Sequence, residues 1–294
     1  MTRVVALDVG GTDTKAALVD GDATVLAARS VPTPHGAELV LDLVGRLVEE
    51  LGEGAEAVGV VVPGVVDDVR GVAVWSENLD WRDVPFVAAV SERCGLPTVL
   101  GHDVRAGGLA ESRLGAARGV DDVVFLAIGT GIAAAVLLGG RLHAGGGYAG
   151  EIGHTWAGHD EPCACGGRGC LEAIASAGAI ARRYTARTGR GVVGAEEVLR
   201  VAAGGDPDAI AVWEEALDAL AGALAWVASV LAPEAVVIGG GLSRAGDELF
   251  GPLADGMKRR LTFQRVPSLV PAELGDRAGC LGAALLALDL LRER

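Results

Sequence analysis

The chain has 294 residues, half of them apolar and 22% charged, with 45 Gly and 11 Pro. This composition excludes collagen-like and low-complexity polymers and provides for a substantial core in one large or two modest domains. Its 25 basic and 39 acidic residues leave a net charge of −14, so no basic field exists to release counterions from nucleic acid or to hold an anionic membrane surface. Asp8 interrupts the opening apolar run, and the uncharged stretch Val123 to Leu138 is 16 residues long and contains Gly129-Thr130-Gly131. Neither a secretory leader nor a membrane span is expected, and the protein reads as cytoplasmic.

Val4 to Leu7 and Lys15 to Val19 are β-rich runs separated by Gly10-Gly11-Thr12, and Asp20-Gly21 turns the chain into a third strand, Thr24 to Ala28. Apolar residues recur at helical spacing from Leu39 to Leu51, and the continuous run Ala57 to Val62, closed by Pro63-Gly64, reads as a buried parallel strand. A helix is predicted from about Pro85 to Arg93, a strand at Thr98 to Leu100 and a helix from Asp103 to about Ala117. The first 117 residues therefore form an α/β unit. The pattern then restarts with a strand Val123 to Ile128, the loop Gly129-Thr130-Gly131, a strand Ala133 to Leu138 and a Gly139-Gly140 turn. Aligning Gly11-Thr12 with Gly129-Thr130 gives an offset of 118 residues, which implies two related halves around a cleft, each supplying one glycine loop. After an irregular cysteine-bearing stretch, helices are predicted at Ala177 to Thr188, Ala195 to Ala203 and Ile210 to Leu231, then a strand at Ala235 to Ile238. Helices at Asp247 to Leu253 and from Gly279 to the end complete an α/β arrangement with an added helical layer.

In Asp8-Val9-Gly10-Gly11-Thr12 a strand ends in glycines that let backbone N–H groups approach an anion, and Thr12 adds a hydroxyl. A plain hairpin turn would use the same residues; the recurrence at Gly129-Thr130-Gly131 favours phosphate binding. Neither loop fits G-x-x-x-x-G-K-[ST], nor G-x-G-x-x-G ahead of a helix, which disfavours P-loop and dinucleotide folds. Asp8 is suited to orient Mg²⁺ through water or to cap the turn. Gly239-Gly240-Gly241 is the third glycine loop at a strand's carboxyl end, the edge where open α/β sheets bind ligands. It suits an adenine ring lying on bare backbone, or a simple turn.

Five cysteines make an odd count, and Cys163, Cys165 and Cys170 fall within eight positions, too close for an ordinary disulfide framework. With His154 they supply the Cys₃His set of a closed tetrahedral zinc site. Such a site has no position open to water, so its role is structural, and zinc-finger peptides gain about 10–16 kcal/mol from one. Glu151 and His154 share a face if their segment turns helically. Glu172 follows the last cysteine by two residues and suits vicinal hydroxyls or a solvated helix position. Asp103 opens a helix after a strand, as an N-cap or as a general base at the strand's carboxyl edge. His102 beside it reads as a substrate contact or a surface histidine, and Asn78 as a hydroxyl partner or a turn former.

Taken together, Leu7-Asp8-Val9-Gly10-Gly11-Thr12, Asn78-Leu79-x-Trp81, His102-Asp103, Gly129-Thr130-Gly131-Ile132, Glu151-x-Gly153-His154 and Cys163-x-Cys165-Gly166-x-x-Gly169-Cys170-Leu171-Glu172 resemble the ROK family of bacterial sugar kinases and repressors. The resemblance spans nearly the whole chain. It implies an α/β protein of the actin-like ATPase (ribonuclease H-like) fold, with two α/β domains closing on ATP and a sugar. Residues 1–117, completed by the C-terminal helix 281–294, would form the sugar and phosphate side; residues 118–280 would carry the zinc loop and the nucleotide site. Asp103 would be the general base on a sugar hydroxyl, while Asn78, His102, Glu151, His154 and Glu172 would bind the sugar. Asp8, Gly10, Gly11, Thr12, Gly129, Thr130, Gly131, Gly239, Gly240 and Gly241 would take ATP with Mg²⁺. His154, Cys163, Cys165 and Cys170 would hold structural Zn²⁺. Homodimers and homotetramers are common in the family.

Two positions depart from the family pattern. Most of its kinases carry Asn immediately before the base, where this chain has His102, which alters the contact to the ring hydroxyls and can make it cationic. Asp13 stands where Lys or another polar residue is more usual, bringing a carboxylate toward ATP phosphates unless it points away or meets Mg²⁺. The expected reaction is ATP-dependent phosphorylation of a hexose, at O6 of glucose. Other candidate sugars are N-acetylmannosamine, N-acetylglucosamine, fructose and allose, and polyphosphate is another candidate donor. A sugar-responsive regulator would carry a helix-turn-helix ahead of the first glycine loop, where seven residues stand; a non-catalytic sugar sensor is the other alternative.

Overall fold

The structure is a computed structural model that describes every residue except Glu77 and Asn78, so the expected sugar ligand Asn78 lies outside the described residues. Strands β1 (Arg3–Val9), β2 (Asp13–Asp20) and β3 (Val25–Pro32) form an antiparallel meander. Its second turn is organised by Asp20, whose Oδ1 accepts from the backbone N–H groups of Asp22 at 3.0 Å and Thr24 at 2.8 Å. Helix α1 (Ala37–Leu51) buries the apolar stripe from Val40 to Leu51 and leads into β4 (Ala57–Val62), buried throughout. A small antiparallel sheet of β5 (Val65–Asp67), β6 (Val72–Ser76) and β7 (Trp81–Val84) follows. Then come α2 (Phe86–Cys94), β8 (Thr98–His102) and α3 (Asp103–Leu114).

The repeat begins with β9 (Val123–Ile128), β10 (Ile132–Leu138) and β11 (Arg141–His143). Beyond the cysteine stretch lie α4 (Leu171–Ala175), α5 (Ala177–Thr188), α6 (Ala195–Ala203) and α7 (Pro207–Leu231). The chain ends with β12 (Ala235–Gly239), α8 (Asp247–Arg260), β13 (Ser268–Pro271) and α9 (Ala278–Arg292). Helix α7 starts three residues before the periodicity predicts, because Asp206 caps Ala209 N–H at 3.0 Å and Pro207 pre-sets the first turn. The two sheets have the same strand order, β3-β2-β1-β4-β8 and β11-β10-β9-β12-β13. In each, an antiparallel hairpin is followed by parallel pairing, β1 with β4 and β9 with β12. This is the structural counterpart of the 118-residue offset.

Two compact units result. One comprises Met1–Arg113, Leu142–Ala149 and Asp276–Arg294; the other comprises Leu114–Arg141 and Gly150–Gly275. In the first, α1 and α2 cover one face of the sheet, and the other face meets α9 through small side chains, Ala6, Ala106, Ala283, Ala284 and Ala287. The fit leaves no spare volume: a Cβ at Gly282 of α9 would stand 2.1 Å from the Ala106 carbonyl oxygen. Gly282→Val is expected to destabilise the protein by about 3 kcal/mol through overpacking. Calorimetry would show a lowered Tm, and an unchanged Tm would contradict this packing. In the second unit Trp213, Leu220 and Leu224 of α7 belong to one core cluster with Val124 and Leu126 of β9 and Val236 and Ile238 of β12, and α7 packs against α4, α5, α6 and α8.

Candidate active site and metal centre

Asp103 begins α3 where β8 ends. The N–H of Val104 donates to Asp103 Oδ1 at 2.7 Å and also reaches His102 Nδ1 at 3.1 Å, while Arg105 N–H points to the same Nδ1 at 3.4 Å. Imidazole and carboxylate therefore share the capping of α3. His102 Nδ1 and Asp103 Oδ1 lie 3.1 Å apart. His102 is buried, which corrects the surface-histidine reading.

Asp103 keeps 29% side-chain exposure, yet burial pushes its carboxyl up to about 6, against the opposing pull of the Val104 N–H and the Arg105 charge. Asp8 ends β1, separated from β8 by β4 alone. Burial first, and then the Asp103 charge, raise its carboxyl to about 6, with Lys15 partly offsetting them. Two partly desolvated carboxylates at one sheet edge form the oxygen-donor set that a hard divalent cation favours. Asp13 is exposed at the start of β2.

Gly10 N–H closes its own turn on the Asp13 carbonyl at 3.0 Å, and Gly129 N–H does the same on Gly131 at 2.9 Å. These two amides are satisfied within their own turns. The N–H groups of Gly11, Thr12, Thr130 and Gly131 find no acceptor among the described residues, leaving two successive amides in each loop. Gly240 crosses the Ile128 carbonyl, where a Cβ would approach to 2.3 Å, and Gly241 beside it is open.

His154, Cys163, Cys165 and Cys170 place one ligand atom each within 4.8 Å of one another. Cys165 Sγ lies 3.7 Å from Cys170 Sγ, and Cys163 Sγ lies 3.8 Å from His154 Nδ1. Sulfurs bound tetrahedrally at about 2.3 Å from zinc stand about 3.8 Å apart, so these residues fit the ion. Burial and the neighbouring sulfurs push the Cys170 thiol up to about 12, whereas the Gly167 N–H holds Cys165 below the usual thiol range.

Glu151 precedes a single 3₁₀ turn, Ile152–His154, which sets it at i, i+3 to the histidine. Glu172 sits in the first turn of α4 and its Oε2 accepts from Ile132 N–H at 2.8 Å. It thus links the cysteine segment to the second glycine loop. Sequence reasoning passed over Arg105, 2% exposed, whose Nη1 donates to the Gly147 carbonyl at 3.0 Å and Nη2 to the Val66 carbonyl at 3.4 Å. Its signal was a cation in the first turn of a helix, where the dipole disfavours one.

The ROK family model matches residues 4–290. A glucokinase of Thermotoga maritima is 35% identical over 314 residues, covering 99% of this chain and 98% of the relative. A ROK hexokinase from Thermus thermophilus superposes with a TM-score of 0.90 at 35% identity, covering both chains entirely. A ROK family glucokinase from Streptomyces griseus, solved with glucose and AMPPNP, gives 0.84 at 32% identity over 98% of this chain and 99% of that one. On this evidence the chain belongs to the ROK family and has the actin-like ATPase fold of its kinases.

Proposed function

We propose that the protein transfers the γ-phosphoryl group of ATP to the 6-hydroxyl of glucose, with Asp103 as general base. The coarser statement, an ATP-dependent hexokinase-type sugar kinase, follows from the full-length likeness to glucokinases, one of them bound to glucose and a nucleotide analogue. The observation that carries the finer reading is the Asp103 carboxylate, partly desolvated at the end of β8 and fixed by the first N–H groups of α3. A carboxyl raised to about 6 is still ionised at neutral pH and is more basic than an ordinary aspartate. In this reading it orients the attacking hydroxyl and takes its proton as the new O–P bond forms and ADP departs. Within the second unit, phosphate would meet the spare amides of Thr130 and Gly131, and the nucleotide base would lie over Gly241; in the first unit Gly11 and Thr12 offer a like pair of amides.

Positioning and charge stabilisation should exceed proton abstraction in weight, because the transition state of phosphoryl transfer is loose. Mg²⁺, held from the Asp8 side, would neutralise phosphate charge that an acidic protein cannot. His102 would contact the sugar, and Glu151 and the outward nitrogen of His154 would face hydroxyls. Zn²⁺ on the Cys₃His set would order the loop that carries them. A coupled ADP-release assay across glucose, N-acetylmannosamine, N-acetylglucosamine, fructose and allose tests the assignment. Glucose should give the highest kcat/KM; a preference for another hexose by tenfold or more would replace it, and no stimulation by any sugar would favour a sensor.

Thiols kept reduced for a metal suit the cytoplasm, and no helix among the described residues is long and apolar enough to cross a membrane. A homodimer is part of the same reading. Trp156 and Trp226 are each 75% exposed and Val230 73%, along a 770 Å³ groove between the cysteine segment and α7. Trp226→Glu should convert a dimer to monomer in analytical ultracentrifugation, and a monomeric wild type would refute it.

A further inference from the structure

Ile132 opens β10 directly after the loop Gly129–Gly131, so the direction of its peptide sets where the amides of Thr130 and Gly131 point. Its N–H donates to Glu172 Oε2 at 2.8 Å, and the carboxylate lies against the loop itself, since a Cβ at Gly131 would fall 2.5 Å from the same oxygen. The second carboxylate oxygen, Oε1, takes no hydrogen bond from a described residue, which leaves it open to a further donor. Two residues along β10, Ala134 N–H donates to the Gly150 carbonyl at 2.8 Å; main-chain groups two residues apart lie along one strand edge. Gly150 and Gly153 press on that edge, where a Cβ on either would strike the Ala134 or the Ile132 carbonyl oxygen. The start of β10 thus carries Glu172 and the segment bearing Glu151 and His154 on one side, and the phosphate loop at its end.

We infer that Glu172 couples the two substrates: its Oε2 holds the phosphate loop through the Ile132 amide while its Oε1 meets a sugar hydroxyl, so that sugar occupancy tightens nucleotide binding. The inference rests on the reading of the site as that of a hexose kinase and adds to it a positioning role for Glu172 at the start of β10. A carboxylate engaged through one oxygen keeps freedom to turn away from the loop amide. A hydroxyl donating to the other oxygen orients the group and keeps Oε2 on Ile132. Thr130 and Gly131 then present their N–H groups already fixed, and phosphate meets them with less backbone freedom left to lose. Linkage makes the effect reciprocal: the factor that sugar adds to nucleotide affinity is the factor that nucleotide adds to sugar affinity.

Calorimetric titration of the full, zinc-loaded chain tests this by reading the Kd of glucose alone and with saturating Mg²⁺ and AMPPNP. The ratio of the two constants is decisive, because a residue that only binds sugar or only supports the fold changes both alike. Wild type should give a ratio of about ten. E172A should weaken glucose in both conditions and bring the ratio to about one. G131A sets a methyl group where Oε2 sits, taking the carboxylate off the Ile132 amide without removing it, and the ratio should fall in the same way. If E172A does not fold, or binds glucose too weakly to titrate, G131A decides. A wild-type ratio of one, or a wild-type ratio kept by either variant, overturns the inference. The two readings fail differently: a wild type that neither binds nor phosphorylates glucose refutes the kinase assignment, whereas an active wild type whose ratio survives in the variants refutes the coupling through Glu172 alone.

Discussion

Asp103→Asn is expected to lose turnover by about 10²–10⁴-fold and yet to be more stable than wild type at pH 8. Asn keeps the shape and can still accept the Val104 N–H, so glucose binding should survive. The sign of the stability change follows from linkage. The native carboxyl titrates near 6, above its ordinary value of 3.8, so the folded state binds this proton more tightly than the unfolded state does. The free energy of unfolding therefore falls as pH rises from about 4 to about 6 and stays lower above that. Removing the charge should restore roughly 1–2 kcal/mol at pH 8, discounted for the 29% exposure of the side chain. The Tm advantage should vanish below pH 4, where Asp103 is protonated in both states. Calorimetry across pH, beside a coupled assay, measures both quantities. A D103N protein that is less stable at pH 8 would show that the carboxylate serves only as a structural cap. The trade of stability for function is the pattern expected where a charge is desolvated for chemistry.

Breaking the metal centre should have the second large effect. Cys165→Ser, or stripping with a strong chelator, is expected to abolish stoichiometric zinc binding, one ion per chain by mass spectrometry of the wild type. It should lower stability by roughly 4 kcal/mol or more and reduce kcat/KM well over tenfold. The segment cannot hold itself. Asp160, Glu161 and Cys165 are exposed or half-buried, and its own bonds are the Asp160–Arg168 pair and short backbone bridges such as Trp156 with Cys170. Damage should spread along a defined route. Leu171 N–H bonds to the Thr155 carbonyl at 2.9 Å, and Glu172 bonds to Ile132 N–H at 2.8 Å, so loosening the sulfurs frees the second glycine loop. KM for ATP should therefore rise along with KM for the sugar. A C165S protein with wild-type Tm and full activity would show that the four side chains hold no ion that matters.

Much of this was legible before any coordinates. Ala57 to Val62 and Ala177 to Thr188 were readable to the residue, because an unbroken apolar run and a Gly189 stop each leave one solution. The paired glycine loops announced the repeat, and the cysteine spacing announced the Cys₃His cluster. Strands β5, β6 and β7 were not readable: they are three to five residues long, and Asp80 before β7 and Asp83 within it take positive φ, which interrupts the strand pattern. Strand β13 was masked by Pro267 and Pro271, which mark an edge more often than a parallel strand. Within the site, sequence reasoning read Glu172 as a partner for vicinal hydroxyls or a solvated helix position and did not foresee that its Oε2 also accepts from the Ile132 backbone amide. It left His102 as a substrate contact or a surface group, whereas the ring is buried with Nδ1 against the Val104 and Arg105 amides. In both cases the decisive partner is main chain brought close by the fold, which side-chain identities alone do not reveal.

The most direct measurement is a ³¹P and ¹³C magnetic resonance time course of the purified protein with MgATP and labelled glucose. ADP and glucose 6-phosphate should appear in equal amounts, with no ADP formed when the sugar is omitted. ADP release indifferent to sugar, or a phosphate ester at any carbon other than C6, would contradict the account.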